Sequence, residues 1–263
     1  ISKSNNAAII MKKILLFLFI SSNISSQSII NTESNIANND KKVFGEIEAA
    51  FDMQQGNTEI LQLEASVLVG FNLTDNILIK LSAGHAQLSE DKESIDNDSY
   101  VQLRHNYKFS ELIKSFAFIQ YQENLNLLLT ERLILGLGLR YDSSIKGFNF
   151  GVGSGVMYEN EVLYEEKLML YEQSDFTLVR MCGLSTFSFS ISEFITLKNT
   201  TFFQPDVSNF FSDFRLLNDL SIITEFNDYF SFENKITIRH DSDPPSVLKE
   251  DDLAFVSGVI FSF

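Results

Sequence analysis

Few residues of this chain are equipped for covalent chemistry. The three histidines are His85, His105 and His240, and no pair has the H-x-x-x-H spacing that sets two imidazoles on one helix face for a metal. Cys182 is the single cysteine, so neither an intramolecular disulfide nor a thiolate cluster can form. Residues 151–155, GVGSG, contain a Gly-Ser-Gly string like that of a nucleophile elbow. The elbow needs a strand–turn–helix context, whereas these glycines alternate with larger residues as the middle of a strand does. There they relieve crowding or curve the strand. No phosphate-binding or dinucleotide fingerprint is present. A formal net charge of −15 opposes nucleic acid, whose phosphates need cations. These residues point to a protein that is not an enzyme and that uses no cofactor and no metal. A hydrolase reading would need His240, at a strand end beside a loop, to find a serine or aspartate partner at the rim.

Charges set at alternate positions of apolar segments carry more information. Residues 100–109 place Val101, Leu103, Tyr107 and Phe109 on one face and Gln102, Arg104, Asn106 and Lys108 on the other. Residues 133–141 set Leu133, Leu135, Leu137, Leu139 and Tyr141 against Ile134, Gly136, Gly138 and Arg140. Residues 230–239 set Phe230, Phe232, Ile236 and Ile238 against Glu233, Lys235, Thr237 and Arg239. Each segment is about ten residues, the length that crosses a bilayer at the tilt of a barrel strand. Charges of both signs on the polar face suit a lumen better than the dry core of a sandwich. The predicted lumen-facing set is Lys80, Arg104, Lys108, Arg140, Lys198, Glu233, Lys235 and Arg239, with Glu46, Glu48, Asp52 and Glu64. Two roles are open to it: a polar pore whose selectivity these groups set, or a plugged interior in which arginines and carboxylates neutralise one another.

The elements that position these groups are strands throughout. Twelve alternating segments are predicted, over 43–53, 59–71, 76–88, 99–109, 113–122, 131–142, 147–157, 175–188, 194–203, 214–225, 229–239 and 253–263. An even number suits a bacterial single-chain barrel. Connections alternate between short turns and mostly longer loops, so the rule of short periplasmic turns and long outer loops puts both ends of the barrel sequence in the periplasm. The outer loops are acidic near 90–98, 159–175 and 241–252, either a solvated surface or a place for divalent cations that bridge lipopolysaccharide phosphates. In the longest loop Tyr164, Leu168, Met169, Leu170 and Tyr171 have the apolar character of a lid or a rim contact.

Both ends of the chain agree with export to an outer membrane. Met11, Lys12 and Lys13 precede the apolar run 14–20 and a small, polar stretch to Gln27. That order is a secretory signal peptide, too short in its apolar part to span a bilayer as a helix. Residues 1–10 then lie upstream of the start, 11–27 form the signal, 28–42 a periplasmic lead, and 43–263 the barrel. At the other end Phe255, Val259, Phe261 and Phe263 share one face of a final strand that closes the cylinder. Such an aromatic terminus resembles the signal read by the barrel-assembly machinery. Tryptophan is absent while phenylalanine numbers 25 and tyrosine 8, so these two must supply the interfacial girdles.

Residues 56–58 (GNT), 100–107 (YVQLRHNY), 116–124 (FAFIQYQEN) and 132–141 (RLILGLGLRY) in that order resemble the bacterial family of salt-induced outer-membrane proteins, a family of unknown function. The resemblance implies location and fold, and carries over no catalytic or ligand residue. The expectation is an all-β, transmembrane, up-and-down barrel in the outer membrane of a Gram-negative bacterium, in contact with lipid and lipopolysaccharide. It serves as a small-solute or ion channel linked to envelope salt response, or as a plugged structural barrel. The remaining alternative is a soluble periplasmic β-rich binding protein.

Overall fold

A computed structural model describes residues 29–33, 41–54, 60–90, 93–169 and 172–263. The predicted upstream stretch 1–10 and signal 11–27 lie outside the described residues. Twelve antiparallel strands follow one another around a closed barrel: β1 (Val43–Gln54), β2 (Ile60–Thr74), β3 (Ile77–Glu90), β4 (Glu93–Lys108), β5 (Ile113–Asn124), β6 (Leu129–Ile145), β7 (Phe148–Leu163), β8 (Asp175–Ser190), β9 (Ile195–Pro205), β10 (Phe214–Glu225), β11 (Phe230–Asp241) and β12 (Asp251–Ser262). Each strand pairs with its sequence neighbour, and β1 pairs with β12 from Glu46↔Ser262 to Ala50↔Gly258. Closure leaves no backbone edge to be satisfied by lipid.

Period-two alternation decides what faces outward. On β6, Leu135, Leu137 and Leu139 are exposed while Arg132 and Ile134 are wholly buried. Burying charged groups on the inward faces is tolerable where they are paired, as Arg132 is with Glu159. The outer surface is a belt of exposed Leu, Val, Ile and Phe side chains, the form of a surface meant for hydrocarbon. Aromatic rings gather near the end that carries Val43 and Phe263. Tyr107 and Phe109 meet at 4.9 Å, Phe230 and Phe261 at 5.2 Å, and Phe148 and Phe187 at 6.2 Å. They supply the girdle in the absence of tryptophan.

Several strands run further than the alternation predicts. β7 continues to Leu163 instead of ending near 157, because Glu159 and Glu161 face inward onto arginines and so extend the inward row rather than starting a loop. β4 begins at Glu93 rather than near 99, which converts most of the expected loop after β3 into hairpin. The β6–β7 connection lies at Lys146 and Gly147, with φ of 47° and 80°. Two successive residues in the left-handed region make the tight hairpin turn whose twist matches its strands, and glycine holds the second position at no steric cost. The other end carries the longer loops, 164–174, 206–213 and 242–250.

Glycines on β6 and β7 face inward, as their alternation implied, and make room for neighbours. The Phe118 and Phe116 rings lie over Gly136 and Gly138, and a Cβ on either would overlap them. They allow an apolar cluster of Phe116, Phe118, Ile134, Met157, Cys182, Leu184, Phe202 and Leu217 to fill the β5–β10 side of the interior.

Candidate functional site inside the barrel

A ninth group of that cluster comes from outside the strands. Ile29 is 1% exposed and packs with it, which places residues 29–33 inside the barrel. These five residues come from the stretch expected as a periplasmic lead, and here they form an insert in the lumen. No strand ladder holds it. The Ile30 amide donates to Gln120 Oε1 at 3.0 Å, and Gln102 Nε2 donates to the Ile30 carbonyl at 3.2 Å. Thr32 Oγ1 donates to Gln102 Oε1 at 3.0 Å, Lys80 Nζ to the Thr32 carbonyl at 3.3 Å, and Asn31 Nδ2 to Asp219 Oδ2 at 2.8 Å. Side chains of β3, β4, β5 and β10 thus satisfy a backbone that would otherwise lie buried and unpaired.

Glu33 ends the described part of the insert. One carboxylate oxygen is 2.5 Å from Arg104 Nη2, and the other is ion-paired with Arg140 Nη1. Burial pushes its carboxyl upward, but Arg104, Arg140 and Lys80 outweigh that and hold it lowered to about 2. Both arginines are fixed from behind. Arg104 lies over the Phe116 ring at 4.9 Å and the Phe118 ring at 5.9 Å, an arrangement that favours a cation. Arg140 pairs with Asp142 and donates to Thr186 Oγ1 at 2.9 Å.

A second ion-pair network occupies the interior nearer the loop end. Glu159 accepts from Arg132 at 2.6 Å, from Arg180 at 3.2 Å and from Arg215 at 2.5 Å. Glu161 meets Arg132 and Arg215, each at 2.9 Å. Arg215 also pairs with Asp241 at 2.9 Å and Arg180 with Asp213 at 2.7 Å. Arg215 on β10 reaches Glu159 on β7, so the network ties together strands that are not neighbours. Above it, Leu127, Leu129 and Leu163 pack with Leu168, Phe176 and Leu248, and Ser246 donates its amide and hydroxyl to Glu172 Oε1 at 2.8 and 2.5 Å. The loops therefore meet across this end. Leu168 takes part in that packing, Met169 and Tyr164 are exposed, and Leu170 and Tyr171 lie outside the described residues.

The opposite side of the interior is more open. A cavity of about 220 Å³ lies between the insert and strands β1–β4 and β10–β12. Glu46, Glu48, Glu64, Asp98 and Asp219 line it, with Lys235 and Arg239 as the cations among its lining. Lys235 sits 3.8 Å from Glu48 and 3.9 Å from Glu233, and Thr237 Oγ1 donates to Asp219 at 2.7 Å. The Ser82 hydroxyl on the same wall is buried and makes no hydrogen bond with the protein among the described residues.

The residues predicted for the lumen occupy three different settings. Lys80, Arg104 and Arg140 converge on the insert. Glu233, Lys235 and Arg239 stand on the open side, with Lys198 close to Glu46 and Glu233. Lys108 lies apart at the turn end, 2.7 Å from Glu111. The side chain of Asp52 lies outside the described residues. Phe255, Val259, Phe261 and Phe263 share the exposed outer face of β12. His240 meets Asp251 at 2.8 Å across the β11–β12 pair, backed by the Phe214 ring at 5.3 Å. This is the aspartate partner that the hydrolase reading asked of His240, and no serine or cysteine hydrogen-bonds to the pair among the described residues.

Sequence reasoning put Gln102 on a polar face without seeing its role, and missed Glu33, Gln120 and the Arg132–Arg180–Arg215 network. The arginines carried a usable signal: each stands in phase with the inward row of its strand. Glu33 carried none, since it belongs to no periodic segment.

The fold and this interior define a transmembrane β-barrel of the outer-membrane type, with a polar, ion-paired lumen. Its sequence matches the family described as protein of unknown function, DUF481, over residues 47–263, and the chain belongs to that family. No curated protein matches it. Among solved structures it is similar to the NanC porin, with a TM-score of 0.50 and 11% identity, covering 83% of this chain and 98% of that one. It is also similar to an outer-membrane channel from Pseudomonas putida F1, with a TM-score of 0.51 and 8% identity, covering 84% and 94%. At such identities the likeness is one of fold.

Proposed function

We propose that the protein is an outer-membrane channel for ions or small solutes, held closed by its own N-terminal segment. The observation that carries this reading is the way residues 29–33 are held. Polar side chains and one carboxylate fix them, with no ladder to any strand, so the segment can leave while the barrel stays intact. A wall that must survive such a departure has to be polar, and it is. The acidic cavity beside the insert is the conducting path, and its carboxylates outnumber its cations, which favours cations. Two similar structures carry the words porin and channel in their descriptions, which supports the same reading by analogy of fold.

Export, outer-membrane residence, contact with lipopolysaccharide and assembly by the barrel machinery belong to this proposal, as does its non-enzymatic character. So does a link to salt: once water reaches Glu33, higher ionic strength screens its pairs and loosens the insert. A structural barrel without transport is the second reading, favoured by the apolar cluster and the arginine network that fill the β5–β10 side. Planar-bilayer recording of the refolded mature chain under a salt gradient separates the two. Discrete steps with a cation-type reversal potential support the channel. Silence from correctly folded protein, including Glu33→Gln, means the structural barrel.

A further inference from the structure

We propose that Lys80, Arg104 and Arg140 form a carboxylate-binding site within the barrel, for which Glu33 is a built-in occupant and which a carboxylate-bearing small solute takes when the insert withdraws. The inference rests on the reading of residues 29–33 as displaceable.

Three observations carry it. The two guanidinium groups approach opposite oxygens of one carboxylate, Arg104 at 2.5 Å and Arg140 in the second ion pair, so the pair clamps a planar anion from two sides. The clamp does not depend on its occupant for shape. Arg104 is 3% exposed and lies over two phenylalanine rings, while Asp142 and Thr186 fix Arg140. Lys80, also buried, adds a third positive charge and is engaged by the carbonyl next to Glu33. When Glu33 leaves, Arg140 keeps Asp142 and Lys80 still faces the charge of Glu46, while Arg104 loses its carboxylate partner. A buried guanidinium that has lost its carboxylate is costly, so the vacated clamp draws an anion of the shape it already fits.

The site also explains a division of charge inside the barrel. With the insert in place the cationic side is neutralised and the lumen is shut. With the insert out, the two sides oppose each other across the lumen, and a solute bearing a carboxylate has a resting place that a simple cation lacks.

The test is rescue by acetate in the full mature chain. Glu33→Ala removes the carboxylate and leaves space for a free one. Its thermal midpoint is measured in detergent with acetate or chloride at equal ionic strength. Acetate should raise the midpoint of Glu33→Ala by a few degrees over chloride, leave the wild type unmoved, and lose its effect when Arg104→Gln is added. If Glu33→Ala does not refold, Glu33→Ser, which also leaves space for acetate, takes its place and is compared in the same way. Equal midpoints in acetate and chloride overturn the site. Bilayer recording of the same samples keeps the two readings apart. Acetate-specific stabilisation with no current in any state leaves the site and removes the channel. Current without an acetate effect does the reverse.

Discussion

Gly45 and Phe263 exchange two backbone hydrogen bonds, 3.1 Å in one direction and 3.0 Å in the other, and the Phe263 ring lies across the space where Gly45 lacks a side chain. The pair extends the seam between the first and last strands beyond Glu46↔Ser262. A Cβ on Gly45 would overlap that ring and also come 2.8 Å from the Leu68 carbonyl, which cannot swing away. Gly45→Val should therefore destabilise the barrel by about 1–3 kcal/mol through overpacking. Heat-dependent mobility on a detergent gel should show unfolding at lower temperature. Unchanged mobility would mean the seam has slack.

Glu33 gives a pH dependence of definite sign. Its carboxyl is lowered from 4.5 to about 2 in the folded protein. Its contribution is complete above about pH 4.5 and is lost as pH falls towards 2. Over that window the wild type should lose roughly 3 kcal/mol from this one group, at about 1.4 kcal/mol per pKa unit. Glu33→Gln has no carboxylate to protonate, so the two stability curves should converge on acidification. Parallel curves would contradict the geometry at Arg104 and Arg140.

The arginine network should respond sharply to removal of one partner. Glu159 is wholly buried and pairs with three arginines. Glu159→Gln leaves those charges under-compensated and should cost ~3–5 kcal/mol, read from denaturant unfolding in detergent. A cost below about 1 kcal/mol would place the network in water rather than in the protein.

Cys182 offers a report on the insert. It is 2% exposed in the cluster that contains Ile29. Glu33→Gln should raise the rate of Cys182 modification by a polar maleimide several-fold, because departure of the insert uncovers that cluster. Equal rates would show that the insert stays in place without its carboxylate.

Neutralising the open side should shift ion preference. Glu48→Gln and Glu64→Gln remove two of the carboxylates that line the cavity, and the reversal potential should move towards zero under a salt gradient. Should the potential hold, the conducting path lies elsewhere.

Much of the cylinder was legible because its outer face obeys a strict alternation. Leu133 to Tyr141 on β6 and Phe255 to Phe263 on β12 read directly as strands with one face for hydrocarbon. The strand extensions were not, for a physical reason. Glu159 and Glu161 have low strand propensity, and only arginines on β6, β8 and β10 make their burial acceptable. Such partners are distant in sequence and leave no local pattern. The insert is the extreme case: Glu33 and Arg140 are 107 positions apart, and nothing around residue 33 marks it as buried. Inward phase put Lys80, Arg104 and Arg140 on the polar faces of their strands, but carried no sign that Glu33 joins the two arginines and that the neighbouring Thr32 carbonyl takes the lysine.

The β1–β12 ladder has the shortest register in the barrel, five residue pairs from Glu46↔Ser262 to Ala50↔Gly258, where β1–β2 runs from Val43↔Phe71 to Gln54↔Ile60. It also joins the parts of the barrel sequence that are furthest apart, so its loop-closure entropy is the largest of any pairing. Every hairpin can form while the sheet is still an open ribbon; this junction needs all twelve strands in place. The pairing that costs most in chain entropy is thus the one with the fewest ladder bonds to offset it, which makes this seam the part of the wall most sensitive to a single substitution.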